Sequence, residues 1–380
     1  MRVQQIVLKS PQLAAGALSP LTDIHPNLVT VFAALAYFVD ADFQAALRQA
    51  FPSAVLIGCS TAGEISTAGV TDNTCIVTAV SLEKIQIQSA VTHLSGMDDS
   101  LAAGGRIGAA LAAPGLKAIL VFGPGVEING SALVEGIAGK VGDTVPITGG
   151  LAGDGGAFTQ TFTLGPEGVG DRNVVALGLS GEALRFGHGS FGGWEPFGPA
   201  RKVTKALNNV LYELDGEPAL EIYKRYLGDL AADLPASGLL FPFAMLGDDH
   251  GAVGLIRTIL GIDEAAGSLT LAGAIDPNGY LKLMHASTDR LVNGAEAAAE
   301  AAAAMFQPQG DSLAILVSCV GRKLVMGGRV DDEVEAVADV LGSGALLTGF
   351  YSYGEISPFT PGSACQLHNQ TMTITSIGER

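Results

Sequence analysis

The chain has 380 residues, with 21 basic and 38 acidic side chains and a net charge of −17. Only 16% of the residues are charged, whereas 48% are hydrophobic, so the composition excludes an intrinsically disordered chain. The acidic surplus, and the lack of any stripe of Lys and Arg, exclude a nucleic-acid partner. At about 100–200 residues per domain, the length predicts two or three folded domains.

Neither a membrane nor an oxidising compartment is indicated. The longest apolar run, over 28–39, is about 12 residues, well short of the ~20 that a spanning helix needs. The N-terminus lacks the apolar segment of a secretory signal. The four cysteines are too scattered for a disulfide framework: Cys59, Cys75, Cys319 and Cys365. We therefore expect a cytoplasmic protein without a membrane partner.

In chain order, strands and helices alternate through the first part of the sequence. The apolar periodicity predicts a strand over 28–35, a helix over 40–50, a strand over 54–57, and a hairpin of 75–82 and 85–91 around Glu83 and Lys84. A second cycle follows, with a helix over 100–112, a strand over 118–122, a helix over 131–141 and a strand over 145–148. This alternation predicts mixed sheets flanked by helices.

The remainder reads as a meander, a crossover helix and a third cycle. Short strands between glycines fill 158–214, a helix covers 217–227, and further strands fill 235–285. The third cycle has a helix over 295–306, a strand over 313–318, a helix over 331–341 and a strand over 345–348. The fold class predicted is α/β with mixed α+β sheets.

One segment occurs twice. Residues 54–66 read AVLIGCSTAGEIS and residues 345–357 read ALLTGFYSYGEIS, with seven of thirteen positions identical at a constant offset of 291. A weaker third copy, VPITGGLAGD, covers 145–154 and places Asp154 where the others have glutamate. The repeat predicts two duplicated domains related by a pseudo-twofold axis, with residues 1–220 in the first and 221–380 in the second.

The repeated segment combines a buried strand with a loop of hydroxyls and one acid. The side chains concerned are Ser60, Thr61, Glu64, Tyr351, Ser352, Tyr353 and Glu355. Open α/β sheets bind ligands at strand ends, so these loops and Asp154 are candidates for a pocket. The alternative is that each loop is a tight structural turn, whose acid accepts hydrogen bonds from backbone N–H groups across the duplication axis.

Taken together, the motifs resemble those of the FIST family of sensory proteins. The resemblance covers about residues 28–376 and rests on Gly58–Ile65, Gly149–Gly155, Ser318–Arg322, Gly349–Ile356 and His368–Thr371. It implies FIST N-terminal and C-terminal domains and an intracellular sensor of a small ligand, with amino acids as the ligand class. It also implies a report to a separate partner, either a histidine kinase or a cyclic-dinucleotide enzyme (diguanylate cyclase or phosphodiesterase), since the chain shows no output domain of its own.

The predicted ligand-binding residues follow from the loops and the resemblance. Glu64 or Glu355 would bind the ammonium group of the ligand, and Arg322 would bind its carboxylate. The full set is Ser60, Thr61, Glu64, Asp154, Arg322, Tyr351, Ser352, Tyr353, Glu355, His368 and Asn369. A homo-oligomer is compatible with the sequence.

The alternative function is that of a haem protein that senses nitric oxide, because some bacterial members of the family look like such sensors. Noncovalent haem needs one axial imidazole, and His188 would supply it from an apolar strand opened by Gly187 and Gly189. No cofactor beyond haem is indicated, and no zinc spacing occurs. No motif positions a catalytic nucleophile, so we expect no enzymatic activity. Trp194, on a glycine-rich loop, is either a lid over a pocket or a plug at a domain seam.

Overall fold

The first half of the chain alternates strands and helices as its hydrophobic pattern predicts. The computed structural model describes residues 1–247, 252–306, 311–359 and 362–380. The predicted helix after the first parallel strand is capped by Asp40, whose carboxylate accepts a hydrogen bond from the Phe43 N–H at 2.8 Å. Up to residue 191 the elements are β1 (Arg2–Leu8), α1 (Ser19–Thr22), β2 (Leu28–Ala33), α2 (Leu35–Val39), α3 (Ala41–Ala50), β3 (Val55–Ser60), β4 (Glu64–Ser66), β5 (Gly69–Thr71), β6 (Cys75–Ser81), β7 (Gln86–His93), α4 (Ser100–Leu111), β8 (Leu116–Gly123), α5 (Gly130–Val141), β9 (Ile147–Leu151), β10 (Thr163–Gly165), β11 (Gly168–Gly170), β12 (Asn173–Ser180) and β13 (Leu184–Phe191).

The second half contains a strand-rich insertion followed by a further helix–strand cycle. The insertion holds β14 (Glu195–Leu207), β15 (Val210–Leu214), β16 (Glu217–Pro218), α6 (Ala219–Leu227), β17 (Phe243–Leu246), β18 (Ala252–Arg257), β19 (Ile259–Asp263), β20 (Ser268–Leu271) and β21 (Tyr280–His285). The cycle holds α7 (Thr288–Met305), β22 (Ser312–Cys319), α8 (Val320–Met326), α9 (Val330–Leu341), β23 (Ala345–Ser352), β24 (Gly354–Pro358), β25 (Cys365–His368) and β26 (Met372–Glu379).

Three six-stranded sheets share one strand order. In each, an outer strand pairs with a return strand, the return strand with the first of two parallel strands, and the second parallel strand with a short hairpin. The orders are β1-β6-β2-β3-β10-β11, β7-β12-β8-β9-β24-β25 and β13-β26-β22-β23-β4-β5. The predicted mixed α/β class and the predicted duplication are both confirmed.

The hairpins are exchanged cyclically among the three sheets. Hairpin β4–β5 follows β3 in the chain but pairs with β23, hairpin β10–β11 follows β9 but pairs with β3, and hairpin β24–β25 follows β23 but pairs with β9. The weaker third copy around 145–154 is therefore a full structural unit. The predicted twofold relation therefore holds for two of the units. The cyclic exchange relates all three sheets by a pseudo-threefold arrangement, and we call these three sheets together the ring.

The predicted hairpin of 75–82 and 85–91 is wrong in its pairing, although both strands form. β6 pairs with β1 and β2 in the first sheet, whereas β7 pairs with β12 in the second. The link between them is held by Glu379, whose carboxylate accepts hydrogen bonds from the backbone N–H groups of Glu83, Lys84 and Ile85 at 2.9, 2.6 and 2.8 Å. The chain therefore crosses between units at this point.

The three sheets face one shared apolar core. Phe32, Phe122 and Phe350 come from different sheets, and their ring centroids lie 4.8 to 5.9 Å apart. Helices cover the outer faces, as in the packing of α7 and α9 on the third sheet. Within the described ranges, no helix has the length and apolar composition that crossing a bilayer requires.

The first glycine of each repeated segment is fixed by close packing of neighbouring strands. A Cβ atom at any of the three positions would lie 1.9 Å from the carbonyl oxygen of the adjacent parallel strand. Only glycine avoids that overlap. The pairs are Gly58 and Val31, Gly149 and Val121, and Gly349 and Leu316.

The insertion between β13 and α7 forms a fourth, eight-stranded sheet. Its order is β18-β17-β21-β14-β15-β20-β19, with β16 paired to β15, and it has an apolar core of its own around Tyr223 and Leu269. The predicted domain boundary between residues 220 and 221 falls within α6, a helix of this insertion. The division into two domains stays a prediction.

Candidate functional site

The three repeated loops meet at one end of the ring. A cycle of backbone hydrogen bonds joins them, in which each loop donates to another unit's loop. The bonds run from Ala62 N to Tyr351 O at 2.8 Å, from Gly153 N to Ser60 O at 2.8 Å, and from Tyr353 N to Leu151 O at 3.1 Å. The loops that were predicted to converge do so, and their backbones are in direct contact.

Glu64 anchors the return strand of its own unit. Its carboxylate accepts hydrogen bonds from the Thr61 hydroxyl and from the Thr74 N–H and hydroxyl, the last two at 2.9 and 2.8 Å. The side chain is buried, and burial raises the pKa of the carboxyl. These contacts hold the loop onto the start of β6.

Glu355 repeats that arrangement in the third unit. It accepts hydrogen bonds from the Ser352 hydroxyl at 2.5 Å and from the Thr371 N–H and hydroxyl at 3.2 and 3.0 Å. Burial raises the pKa of Glu355 to about 8. The contacts agree with the structural-turn interpretation of the repeat, except that each glutamate binds within its own unit.

Asp154 organises the loop that follows β9. It accepts hydrogen bonds from the Phe158 and Thr159 N–H groups at 2.8 Å each and from the Gln160 N–H at 3.0 Å, and the Tyr353 hydroxyl also donates to it. Partial burial works against ionisation, but these hydrogen bonds, led by that of Tyr353, hold the pKa of Asp154 below its usual value. The Asp154 carboxylate therefore stabilises the conformation of its own loop.

Arg322 is paired with a protein carboxylate. It is fully buried, and its Nη2 lies 2.8 Å from the Glu333 carboxylate, which also accepts hydrogen bonds from Tyr351 OH at 2.6 Å and Ser318 Oγ at 3.0 Å. The same guanidinium donates to the carbonyls of Gly192 and Leu291. Glu333 was not among the predicted residues, because nothing in the sequence separates it from the neighbouring acids of α9.

His188 lies in a tightly packed strand. A Cβ at Gly187 or Gly189 would lie 2.5 or 2.0 Å from the carbonyl oxygen of Ala302 or Ala298, so these glycines admit the backbone of α7. His188 is 3% exposed, its Nδ1 has no hydrogen-bond partner in the described part of the chain, and burial lowers its pKa. These surroundings do not fit a haem. Because no comparison tests the haem alternative, it stays a prediction, and an absorption spectrum would decide it.

Three consecutive buried residues stand at the end of β25 and in the turn that leads to β26, and we call them the turn below. His368, Asn369 and Gln370 are each at most 1% exposed, and His368 Nε2 lies 2.9 Å from Ser357 O. Across the described residues, His368 Nδ1, Asn369 Oδ1 and Gln370 Oε1 find no hydrogen-bond partner. Gln370 also adopts a positive φ of 63°. Unsatisfied buried polar atoms are costly, so a run of three is a functional candidate.

This turn lies against the insertion that carries the fourth sheet, along a boundary that we call the seam. Trp194 Nε1 donates to Gln370 O at 2.7 Å, and Gln370 Nε2 donates to Leu239 O at 3.0 Å. Predicted ligand residues His368 and Asn369 thus sit at the meeting of the ring and the insertion. Gln370 was missed, although it stands next to them in the same motif.

The seam also contains a buried arginine that the sequence did not indicate. Arg257, the last residue of β18, is 3% exposed and donates to the carbonyls of Ala274 at 3.1 Å, Ile256 at 3.2 Å and Leu367 at 3.3 Å. No carboxylate of the described ranges pairs with it, and burial lowers its pKa to about 10. It belongs to no repeated motif, so no sequence signal marked it.

Two cavities open elsewhere. One of about 340 Å³ lies beyond the end of β8, where Arg172 pairs with Glu127 at 2.7 Å, and both side chains are about half exposed or more. The other, of about 250 Å³, is lined by Thr67, Asp311 and Ser343 among others. In the parts of the chain that the structure describes, no cluster of His, Cys, Asp and Glu could hold a metal ion.

Comparisons with known proteins agree with the motifs. The FIST N domain model matches residues 27–217 and the FIST C domain model matches residues 219–358. The curated protein MJ1623 of Methanocaldococcus jannaschii is 41% identical over 88 residues, which are 22% of this chain and only 16% of that protein. A crystal structure of cyanuric acid hydrolase from A. caulinodans aligns over 100% of this chain and 99% of its own, at 11% identity and a TM-score of 0.40. FIST domains are in general sensory domains for small ligands in signalling, and this chain, matched by both models over most of its length, belongs to the FIST family.

Proposed function

We propose that this protein is a non-enzymatic sensor that binds a small, amino acid-like ligand at the seam. The observation that carries the proposal is the run of buried polar atoms on His368, Asn369 and Gln370 that find no partner among the described residues. Buried polar groups in native proteins are nearly always hydrogen-bonded. A ligand that supplies the missing partners would bind here with both affinity and selectivity.

The chemistry of the turn suits a ligand with N–H donors. Asn369 Oδ1 and Gln370 Oε1 are acceptors, and an ammonium group offers three donors. Burial lowers the pKa of His368 to about 4, so its imidazole is neutral at pH 7 and Nδ1 can also accept. This role replaces the one predicted for Glu64 and Glu355, whose carboxylates already accept hydrogen bonds from their own units.

The repeated loops support binding over catalysis. Ser60 Oγ accepts a hydrogen bond from Phe162 N at 2.9 Å, and the thiols of Cys59 and Cys319 are buried, which raises their pKa well above the usual value. Thiols with a raised pKa are poor nucleophiles. We therefore propose that the loops hold the ring together and that the protein acts by binding.

The output of the sensor is proposed from the family. A binding protein without chemistry of its own signals through a partner, and for this family we propose a histidine kinase, a diguanylate cyclase or a phosphodiesterase. The insertion that carries the fourth sheet touches the candidate ligand turn, through Trp194 and Leu239. It is therefore the element through which we propose that occupancy is reported.

The experiment is a binding screen with a matched pair of variants. Wild-type protein is titrated with each standard L-amino acid by calorimetry, and the best ligand is repeated with Asn369→Leu, which keeps the volume and removes the acceptor. We expect a loss of affinity of roughly ten-fold or more, because an unpaired ligand donor costs about 1–3 kcal/mol. The control is Thr148→Val, which removes another buried hydroxyl without a partner, far from the turn in sequence and on β9.

The proposal has two ways to fail. Absence of any amino acid binding would remove the ligand class, and equal affinity of wild type and Asn369→Leu would remove the site. Thr148→Val is expected to bind as wild type does, so a matching loss in that variant would indicate a general loss of stability.

A further inference from the structure

Arg257 is a buried arginine for which the described part of the chain supplies no counter-ion. The guanidinium is almost completely buried, its three hydrogen bonds go to neutral carbonyls, and no described carboxylate lies within ion-pair distance. Buried charges in proteins are normally paired, since desolvating an isolated ion is expensive. The contrast with Arg322 is direct, because that buried arginine has Glu333 at 2.8 Å.

The guanidinium of Arg257 lies next to the candidate ligand turn. Its Nη1 donates to the carbonyl of Leu367, the residue that precedes His368, so the guanidinium reaches from the fourth sheet to the edge of the ring. The positive charge of Arg257 also contributes to the low pKa of His368, after the larger effect of burial. The cation and the unpartnered acceptors therefore belong to one neighbourhood.

We propose that Arg257 anchors the carboxylate of the small ligand, so that the bound molecule bridges the fourth sheet and the turn of the ring. The inference rests on the proposed function and adds the anionic group that the ligand must carry. A guanidinium binds a carboxylate through paired N–H donors, and a cation in a dry site holds an anion more strongly than one in water. The role predicted for Arg322 thus passes to a residue that pairs with no carboxylate of the described ranges.

Bridging has a consequence for signalling. The insertion is joined covalently to the ring only through residues 192–194 and 286–287. The contacts across the seam include hydrogen bonds of Trp194, Gln370 and Arg257 and the ion pair of Arg290 with Glu195. A ligand held from both sides adds contacts that exist only when the two parts are together. Occupancy would then reduce opening at the seam, which a partner can read as a change in the fourth sheet.

The test separates the charge of the ligand from its other groups. Wild type, Arg257→Met and Arg257→Lys are titrated with the standard L-amino acids and with their C-terminal amides, which keep the ammonium group and lose the carboxylate. Wild type is expected to prefer the acid to the amide by more than ten-fold. Arg257→Met is expected to lose that preference, and Arg257→Lys is expected to keep part of it because the charge remains.

A control variant and an anion series complete the design. Arg290→Met removes another arginine near the seam, one that is exposed and paired with Glu195 at 2.8 Å, and is expected to bind as wild type does. Sodium acetate is compared with sodium chloride at equal ionic strength, and we expect acetate to raise the unfolding midpoint of wild type by about 2 °C or more and that of Arg257→Met not at all. Hydrogen exchange in β18 and in residues 367–371 is expected to slow with the bound amino acid in wild type and in Arg290→Met, but not in Arg257→Met.

The outcomes distinguish the two proposals. If acetate stabilises wild type alone while no amino acid binds, the carboxylate anchor stands and the amino acid function falls. If amino acids bind but their amides bind equally well, or if Arg257→Met keeps the preference for acids, the anchor is overturned while the sensor remains. Should Arg257→Met not fold, the acid-to-amide ratio of wild type and Arg257→Lys still decides. No response to acetate or to any amino acid overturns both.

Discussion

Glu355 makes the stability of this protein depend on pH in a direction opposite to that of most buried ion pairs. Burial raises its pKa from 4.5 to about 8 in the folded protein. Between these values the folded state holds a proton that the unfolded state has released. The free energy of unfolding therefore falls as the pH rises through this window, and the loss is complete above pH 8.

The size of the effect follows from the shift. One pKa unit corresponds to about 1.4 kcal/mol, so the full shift amounts to roughly 4–5 kcal/mol across the window. His368 acts in the opposite sense below pH 6.5, because its pKa is lowered to about 4 and the unfolded state takes up a proton there first. From pH 6.5 to 8 the effect of Glu355 outweighs the small remainder of that of His368, and about 2 kcal/mol of stability is expected to disappear within this range.

The assay is urea unfolding, followed by circular dichroism, at pH 6.5 and pH 8. Glu355→Gln keeps the shape of the side chain and cannot ionise, so its unfolding free energy is expected to change little between the two values. Glu335→Gln, an exposed change on α9, serves as the control and is expected to keep the wild-type loss. If Glu355→Gln loses as much stability as wild type, the reasoning about this carboxyl is refuted.

Three further outcomes test the packing of the ring and its loops. Gly349→Ala is expected to lower the free energy of unfolding by more than about 3 kcal/mol, measured by thermal unfolding, since its Cβ would lie 1.9 Å from a strand carbonyl oxygen. The control is Gly139→Ala in α5, where nothing lies within 4 Å of the added Cβ, and this change is expected to be neutral or stabilising. Glu333→Gln leaves the charge of Arg322 buried without a counter-ion and is expected to cost about 3–5 kcal/mol by urea unfolding, so a change below about 1 kcal/mol would contradict the pairing. Asp154→Ala removes the acceptor for the backbone N–H groups of residues 158–160 and is expected to speed limited proteolysis of that loop, whereas unchanged cleavage would show that other contacts hold it.

Local patterns in the sequence predicted the elements and the repeat. Runs such as 28–33 and 312–319 are short, apolar and bounded by polar residues, so their periodicity identified the parallel strands. The identical Gly-Glu-Ile-Ser in two copies identified the duplication. These features are encoded within a few residues of one another, which is why single-sequence reasoning reaches them.

The pairing of distant segments could not be predicted in the same way. Val77 and Ala90 both lie in strands with good β propensity, but nothing local shows that those strands belong to different sheets. The seam has the same character. Arg322 stands in a recognisable motif and is already paired, whereas Arg257 stands in an ordinary strand and gains its significance from residues more than a hundred positions away.

The cyclic exchange of hairpins bears on how the protein is made. A ribosome releases the first unit, through β6, while β4 still lacks β23, the strand that it pairs with about 280 residues later. Likewise β9 has no partner on one edge until β24 is synthesised, and β13 has none until β26 is synthesised. The nascent chain therefore carries unpaired edges until β26 has emerged, and the ring can close only then. Contacts of such long range slow folding, so we expect this protein to rely on chaperones during synthesis more than its size alone would suggest.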